Sequence, residues 1–290
     1  MNKNKKNAKS KFKGKVVLIT GASSGIGKQA AIDFADNSAE TIVLVSRSKT
    51  RLEETKQILR QNYTSELLVY SCDVSCKANV LTMGKDLLGR LGHIDILVNN
   101  AGIGLYDKVL DQRIDDIESI TFTNYLGTVY CTKVFLESMI YNGTGHIVNV
   151  ASVAASFGVA GLAAYCASKY AILGFSEALY HELHGTGVGV TVVSPIGVKT
   201  NFFNHESFAR HIPNYTGFML SPKIVSKAIL SAANSSRLEI MVPFYIRAGV
   251  WFKHTIPYLV NPIVGSLFNR QLRNKSKFTG NDEFKNQSPT

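Results

Sequence analysis

Tyr165 and Lys169, in Tyr165-Cys166-Ala167-Ser168-Lys169, are the side chains here best suited to moving a proton. Of the twelve tyrosines, Tyr165 alone has a lysine four residues downstream. On a helix that spacing puts both side chains on one face, one turn apart. A phenol, with an ordinary pKa of about 10, is a poor acid or base at neutral pH. A neighbouring ammonium favours the phenolate and lowers that value, which would make tyrosine usable for proton transfer. Ser152 stands thirteen residues before the tyrosine. The same spacing also fits two residues on a wet helix face, so the pair needs its context.

The first half of the chain supplies that context. Val16-Val17-Leu18-Ile19 reads as a buried parallel strand. It runs into Thr20-Gly21-Ala22-Ser23-Ser24-Gly25-Ile26-Gly27 and then into helical periodicity from Lys28 to Asn37. Strand, glycine-rich turn and helix form the setting of a dinucleotide fingerprint. Gly21 would allow the tight turn, Gly25 the approach of pyrophosphate, and Gly27 close helix–strand packing. Ser23, Ser24 and Ile26 belong to the same cofactor-binding turn, with phosphates expected at the helix N-terminus. A second strand, Thr41 to Val45, ends at Ser46-Arg47-Ser48, without the carboxylate that binds a ribose 2′-hydroxyl. Arg47 can pair with a 2′-phosphate, which favours NADP(H), with NAD(H) as the alternative.

Further strands are expected at Glu66 to Ser71, Ile94 to Val98, His146 to Val150 and Val188 to Val193, alternating with helical segments. That alternation implies an α/β fold of three layers, a doubly wound, Rossmann-like parallel sheet with helices on both faces. Polar and glycine residues gather just beyond the strand C-termini, where such sheets bind ligands.

Thr20–Gly27, Asp73, Asn99–Gly102, Asn124, Ser152, Tyr165 and Lys169 fall in one order and spacing. With them the chain resembles the single-domain short-chain dehydrogenase/reductase family from about Lys13 to Pro243. The resemblance implies that Tyr165 protonates a substrate carbonyl, Lys169 lowers the tyrosine pKa and binds the nicotinamide ribose, and Ser152 donates to the carbonyl oxygen. Asn124 would hold a water linking Lys169 to solvent. Asp73 would bind the adenine amine and Val74 the ring, while Asn100 and Gly102 pass the adenine ribose, with Ala101 between them in the cofactor-binding loop. Val198 and Thr200 would touch the carboxamide, with Pro195 in the same cofactor-binding segment. Each position also has a plainer reading: Asp73 as a helix cap, Asn124 as a backbone-bonded helix residue, Ser152 as a turn residue. The chain departs from the family at Pro195-Ile196-Gly197, where isoleucine takes a usual glycine position. Gly197 is expected to adopt the unusual dihedrals in its place.

A chain of 290 residues with 45% hydrophobic content suits one large domain, here 13–243. The net charge of +11 is concentrated in the tails: Met1 to Lys15 holds seven lysines and no acid, and Arg270 to Thr290 five basic and two acidic residues. The remainder is near neutral, so no nucleic-acid face is expected; segments 1–12 and 271–290 read as solvated tails, with attraction to anionic lipid as a lesser alternative. Four cysteines lack zinc spacing, so no metal is expected and a reducing, cytoplasmic setting is the default. No secretory signal is visible. Cys166 reads as packing. The segment 196–221 is expected to form a lid whose aromatics either meet an apolar carbonyl or alcohol substrate or pack on the sheet. Residues 244–270 form an apolar extension, for which packing beside the lid or a subunit contact ranks ahead of a membrane interface. A homo-oligomer, a dimer or tetramer, is what the resemblance implies.

Overall fold

The computed structural model describes residues 11–210, 219–263 and 265–266. The tail regions 1–10 and 271–290 and positions 211–218 of the expected lid lie outside the described residues. Seven parallel strands form one sheet: β1 (Val16–Thr20), β2 (Thr41–Ser46), β3 (Glu66–Ser71), β4 (Ile96–Asn99), β5 (Gly145–Val150), β6 (Val188–Pro195) and β7 (Glu239–Val242). Their order is β3-β2-β1-β4-β5-β6-β7. All five residues of β1 are buried, as expected of a β-branched run covered on both faces. β4 starts at Ile96, not Ile94, although Ile94 is buried in the same core. The seventh strand was not expected; four residues, Glu-Ile-Met-Val, are too short to show a period.

Helices α1 (Gly25–Asp36), α2 (Lys49–Asn62) and α8 (Pro222–Ala232) cover one face of the sheet, burying Phe34, Leu52, Leu59 and Ile229. Helices α3 (Lys77–Leu91), α5 (Gly127–Tyr141) and α6 (Ala163–Glu182) cover the other, burying Leu87, Phe135, Met139 and Leu179. A short helix α4 (Ile114–Thr121) leads into a π-helical stretch, Phe122–Leu126, and so into α5. Helix α7 (Glu206–Arg210) lies in the lid and α9 (Ile246–Thr255) in the extension. This is a Rossmann-like doubly wound domain. The chain builds outward through β2 and β3, then crosses back to β4, so ligand-binding ends meet where β1 and β4 lie side by side.

The extension departs from expectation. Val250 is its buried apolar anchor, while Phe244, Tyr245, Trp251, Phe252, Tyr258, Leu259 and Ile263 are exposed. Packing beside the lid therefore fails for most of these side chains. Lys253 holds the helix by donating to the Ser156 carbonyl and, at 2.8 Å, to the Tyr170 hydroxyl.

At the N-terminal end of the strands, in the middle of the sheet, one carboxylate ties β1 to β4. Asp95 accepts from the Val16 amide at 2.8 Å and from Lys15 Nζ at 2.8 Å, and is 5% exposed. Asp95→Ala would orphan a buried amide and is expected to lower stability by about 2 kcal/mol. Urea unfolding checks this, and an unchanged midpoint would refute it.

Candidate active site

The glycine-rich turn is built for close approach. Gly21 sits at φ +68°, and a Cβ at Gly27 would lie 2.3 Å from the Gly21 carbonyl oxygen. Helix α1 starts at Gly25, three residues earlier than expected, so Gly25, Ile26 and Gly27 form its first turn. Ser24 is the N-cap but makes no side-chain capping bond. The first-turn amides, which have no intrahelical acceptor, thus point to the space above the turn. Thr200 leans over it: a Cβ on Gly25 would lie 3.0 Å from the threonine methyl. These features fit a bound pyrophosphate.

Thr20 and Asn100 join the ends of β1 and β4. The Thr20 hydroxyl accepts from the amides of Asn100 and Ala101, each at 3.0 Å, and Asn100 Nδ2 donates back to the Thr20 carbonyl at 2.9 Å. Asn100 is thus first a brace for the turn. At Gly102 a Cβ would stand 3.3 Å from Asn124 Oδ1 and 3.6 Å from Lys169 Nζ. Arg47 is exposed at the end of β2, and its carbonyl accepts from the Ser71 hydroxyl at 3.1 Å. Asp73 Oδ1 accepts from the Ser75 amide at 3.0 Å and hydroxyl at 2.7 Å, closing the turn before α3. The N-cap of α3 is Cys76, so Asp73 does not cap that helix. Val74 is buried against Gly127 of α5.

Tyr165 and Lys169 lie one turn apart on α6, with Ser152 opposite at the end of β5. Lys169 Nζ donates to the Val150 carbonyl at 2.9 Å and lies 5.7 Å from the centre of the Tyr165 ring. Burial lowers the Lys169 pKa to about 8. Burial also pushes the Tyr165 phenol up to about 12, against the pull of its hydrogen bond with Ser152. The expected lowering of the tyrosine by Lys169 is thus not what this geometry gives. The ammonium faces the ring and the Val150 carbonyl, and desolvation of the phenolate wins.

Asn124 sits in the π-helical stretch, fully buried. Its Oδ1 accepts from the Ile103 amide at 2.8 Å, and its Nδ2 donates to the Ile103 carbonyl and to Ser168 Oγ, each at 2.9 Å. Ser168 in turn donates to the Tyr165 carbonyl at 2.7 Å. The Asn124 amide thus braces the loop after β4 against helix α6. Ser168 was missed from sequence, although it lies inside the Tyr–Lys motif itself.

A cavity of about 400 Å³ joins the two ends of the site. Ile26, Asn100 and Gly102 line it on one side, and Ser152, Tyr165 and Lys169 on another. Pro195, Ile196, Gly197, Val198, Thr200, Phe202 and Phe203 close it. Phe202 lies 5.3 Å from Tyr165, centre to centre, and a Cβ at Gly104 would meet its ring at 2.3 Å. Among the lid aromatics, Phe208 is buried against Tyr106, in the loop after β4, while Phe202 and Phe203 line the cavity. Phe157, Val159 and Leu162 also line it and carried no sequence signal beyond being apolar. Cys166 is buried beside them, its Sγ accepting from the Val159 amide at 3.4 Å. Gly197 has no positive φ, which corrects the expectation for Ile196. The Ile196 amide instead extends the sheet to the Val242 carbonyl at 2.9 Å, and Leu220 bonds the backbone on either side of Val198.

A family model described as short chain dehydrogenase matches residues 15–210. The chain belongs to the short-chain dehydrogenase/reductase family. Epidermal retinol dehydrogenase 2 of Mus musculus is 34% identical over 247 residues, covering 84% of this chain and 79% of the relative. A short-chain dehydrogenase/reductase from Burkholderia phymatum, solved with NAD, superposes with a TM-score of 0.79 at 27% identity, over 86% of this chain and 95% of that one. A metagenomic short-chain oxidoreductase solved with NADP has a TM-score of 0.68 at 25% identity, over 79% and 97%. This short-chain dehydrogenase/reductase is an oxidoreductase that uses a nicotinamide cofactor, and those two structures hold different ones.

The buried lysine has a consequence for stability. Its folded-state pKa of about 8 lies below its ordinary 10.5, so between those values the unfolded chain binds more protons and stability rises with pH. Measured by denaturant unfolding, wild type is expected to gain stability from pH 8 to pH 10 relative to Lys169→Met. A constant difference would refute the assignment.

Proposed function

We propose that the enzyme transfers hydride between NADP(H) and a carbonyl or alcohol, as a ketone or aldehyde reductase or the reverse alcohol dehydrogenase. The observation that carries this reading is the single cavity shared by the phosphate-binding turn and by Ser152, Tyr165 and Lys169. The cofactor, when bound, supplies or accepts the hydride. The protein's part is position and a proton.

In reduction, Ser152 would donate a hydrogen bond to the carbonyl oxygen and support the charge that develops there. Tyr165 would give that oxygen its proton. The phenol, held at about 12, stays protonated across the neutral range and would give up its proton as negative charge develops on the carbonyl oxygen. Lys169, one turn away with its ammonium 5.7 Å from the ring centre, would bind the nicotinamide ribose. The apolar walls formed by Phe157, Val159, Leu162, Phe202 and Phe203 favour an apolar substrate and keep water from the reacting atoms. Similarity to a retinol dehydrogenase agrees with an apolar alcohol.

The preference for NADP(H) rests on Arg47, just after β2, and on Ser46, which offers no carboxylate where one would select the 2′-hydroxyl. Four free thiols suit a reducing, cytoplasmic setting. A sensor that binds NADP without turnover is the competing reading, and the shared cavity speaks against it. Tyr165→Phe is expected to lower kcat by about 10²- to 10⁴-fold with NADPH affinity nearly unchanged. Stopped-flow NADPH oxidation over a panel of apolar ketones and aldehydes tests this, and equal rates in both proteins would sink the role of Tyr165. Arg47→Asp is expected to raise the Kd for NADPH at least about tenfold, 1.4 kcal/mol, with little change for NADH. Equal shifts for both cofactors in fluorescence titrations would refute the 2′-phosphate contact.

A further inference from the structure

The extension presents an apolar, aromatic surface with basic and no acidic side chains. The inner side of α9 is fixed by Val250 and by Lys253, whose ammonium also lies 5.5 Å from the ring centres of Phe157 and Tyr170. The outer side carries Arg247, Trp251 and Phe252, with Phe244 and Tyr245 before it and Tyr258 and Leu259 after it. Tyr258 is 92% exposed and Phe244 83%. Large apolar groups so exposed and so close together mark an interaction surface.

Charge decides what covers it. From Ile240 to Asn281 the sequence contains no Asp or Glu, yet it holds Arg247, Lys253, Arg270, Arg273, Lys275 and Lys277. A second copy in a two-fold pair would bring this basic, acid-free segment against itself. An anionic bilayer complements it, and tryptophan and tyrosine favour the level of lipid headgroups. Among the described residues no helix is long and apolar enough to cross a membrane, so any contact here is interfacial.

We propose that the outer face of α9 and the residues to Leu259 dock the protein on an anionic lipid surface. The docked helix adjoins the catalytic cavity, because Phe157 lies under Lys253 and also lines that cavity. An apolar substrate dissolved in the bilayer would then meet the cavity wall nearest the lipid. This inference does not depend on the carbonyl chemistry, and its test needs no turnover.

Trp251, the sole tryptophan, reports on the surface directly. Full-length protein is mixed with vesicles of equimolar phosphatidylglycerol and phosphatidylcholine, or of phosphatidylcholine alone. The expected result is a blue shift of Trp251 emission and co-sedimentation with the anionic vesicles. Binding should weaken as salt rises from about 0.1 M to about 1 M, where the screening length falls from about 10 Å to about 3 Å. Tyr258→Glu with Leu259→Glu, at exposed positions, should cut partition at least about tenfold, 1.4 kcal/mol, with thermal unfolding and NADPH binding unchanged. Full recovery in the supernatant with no emission shift overturns the proposal. So does a shift that follows protein concentration without vesicles, accompanied by a dimer in sedimentation velocity that the double variant abolishes; the face would then be a subunit contact.

Discussion

A lysine ammonium buried at the end of β5 sets the terms for everything around it. Lys169 is 4% exposed, and a charge taken out of water needs compensating polar partners. The Val150 carbonyl, at 2.9 Å, is one such partner. That bond fixes helix α6 over the C-terminal end of the sheet and fixes Tyr165 one turn earlier on the same face. Further along the helix a polar chain repeats the constraint. Asn99 donates to Asn149 Oδ1 at 2.9 Å, Asn149 to the Ser176 hydroxyl at 2.8 Å, and Ser176 to the Ile172 carbonyl at 2.7 Å. Buried polar groups linked in this way hold one arrangement, since any shift leaves a partner unsatisfied.

The cofactor end depends on smaller residues. Absent Cβ atoms at Gly27 and Gly102 let the helix approach the turn and let Lys169 and Asn124 approach the loop after β4. Thr20 and Asn100 then lock β1 to β4 at the topological switch. The two halves of the site are joined through the side chains of Thr20 and Asn100, each bonded to the backbone of the facing strand end.

Strands and motifs were legible because both are periodic or local. Continuous β-branched runs such as Val16–Ile19 have one good use, burial in a parallel sheet, and the glycine spacing follows directly from the turn it makes. What escaped depends on tertiary packing. The direction of the Tyr165 shift follows from desolvation, which spacing does not reveal. Ser168 looked like filler between two functional residues, yet it carries the bond from Asn124 to α6. Phe157 and Leu162 are ordinary apolar letters until a loop folds them around a cavity. The extension is the sharpest case, because an apolar, aromatic composition reads the same whether it covers a core or is left uncovered. Even Ile196 was misjudged: bonding of its amide to the neighbouring strand lets an ordinary conformation serve where a glycine was thought necessary.

The π-helical stretch at Phe122–Leu126 holds one residue more than an α-helical path would use. Removing a single residue there would restore regular hydrogen bonding and leave α5 with its buried face against the sheet. Upstream, however, every side chain would turn by about 100° relative to α5, and Asn124 would lose Ile103 and Ser168 together. A shortened helix of that kind could fold as well as the original, or better, and still be inert. The surplus residue thus serves the geometry of the site against the preference of the helix itself.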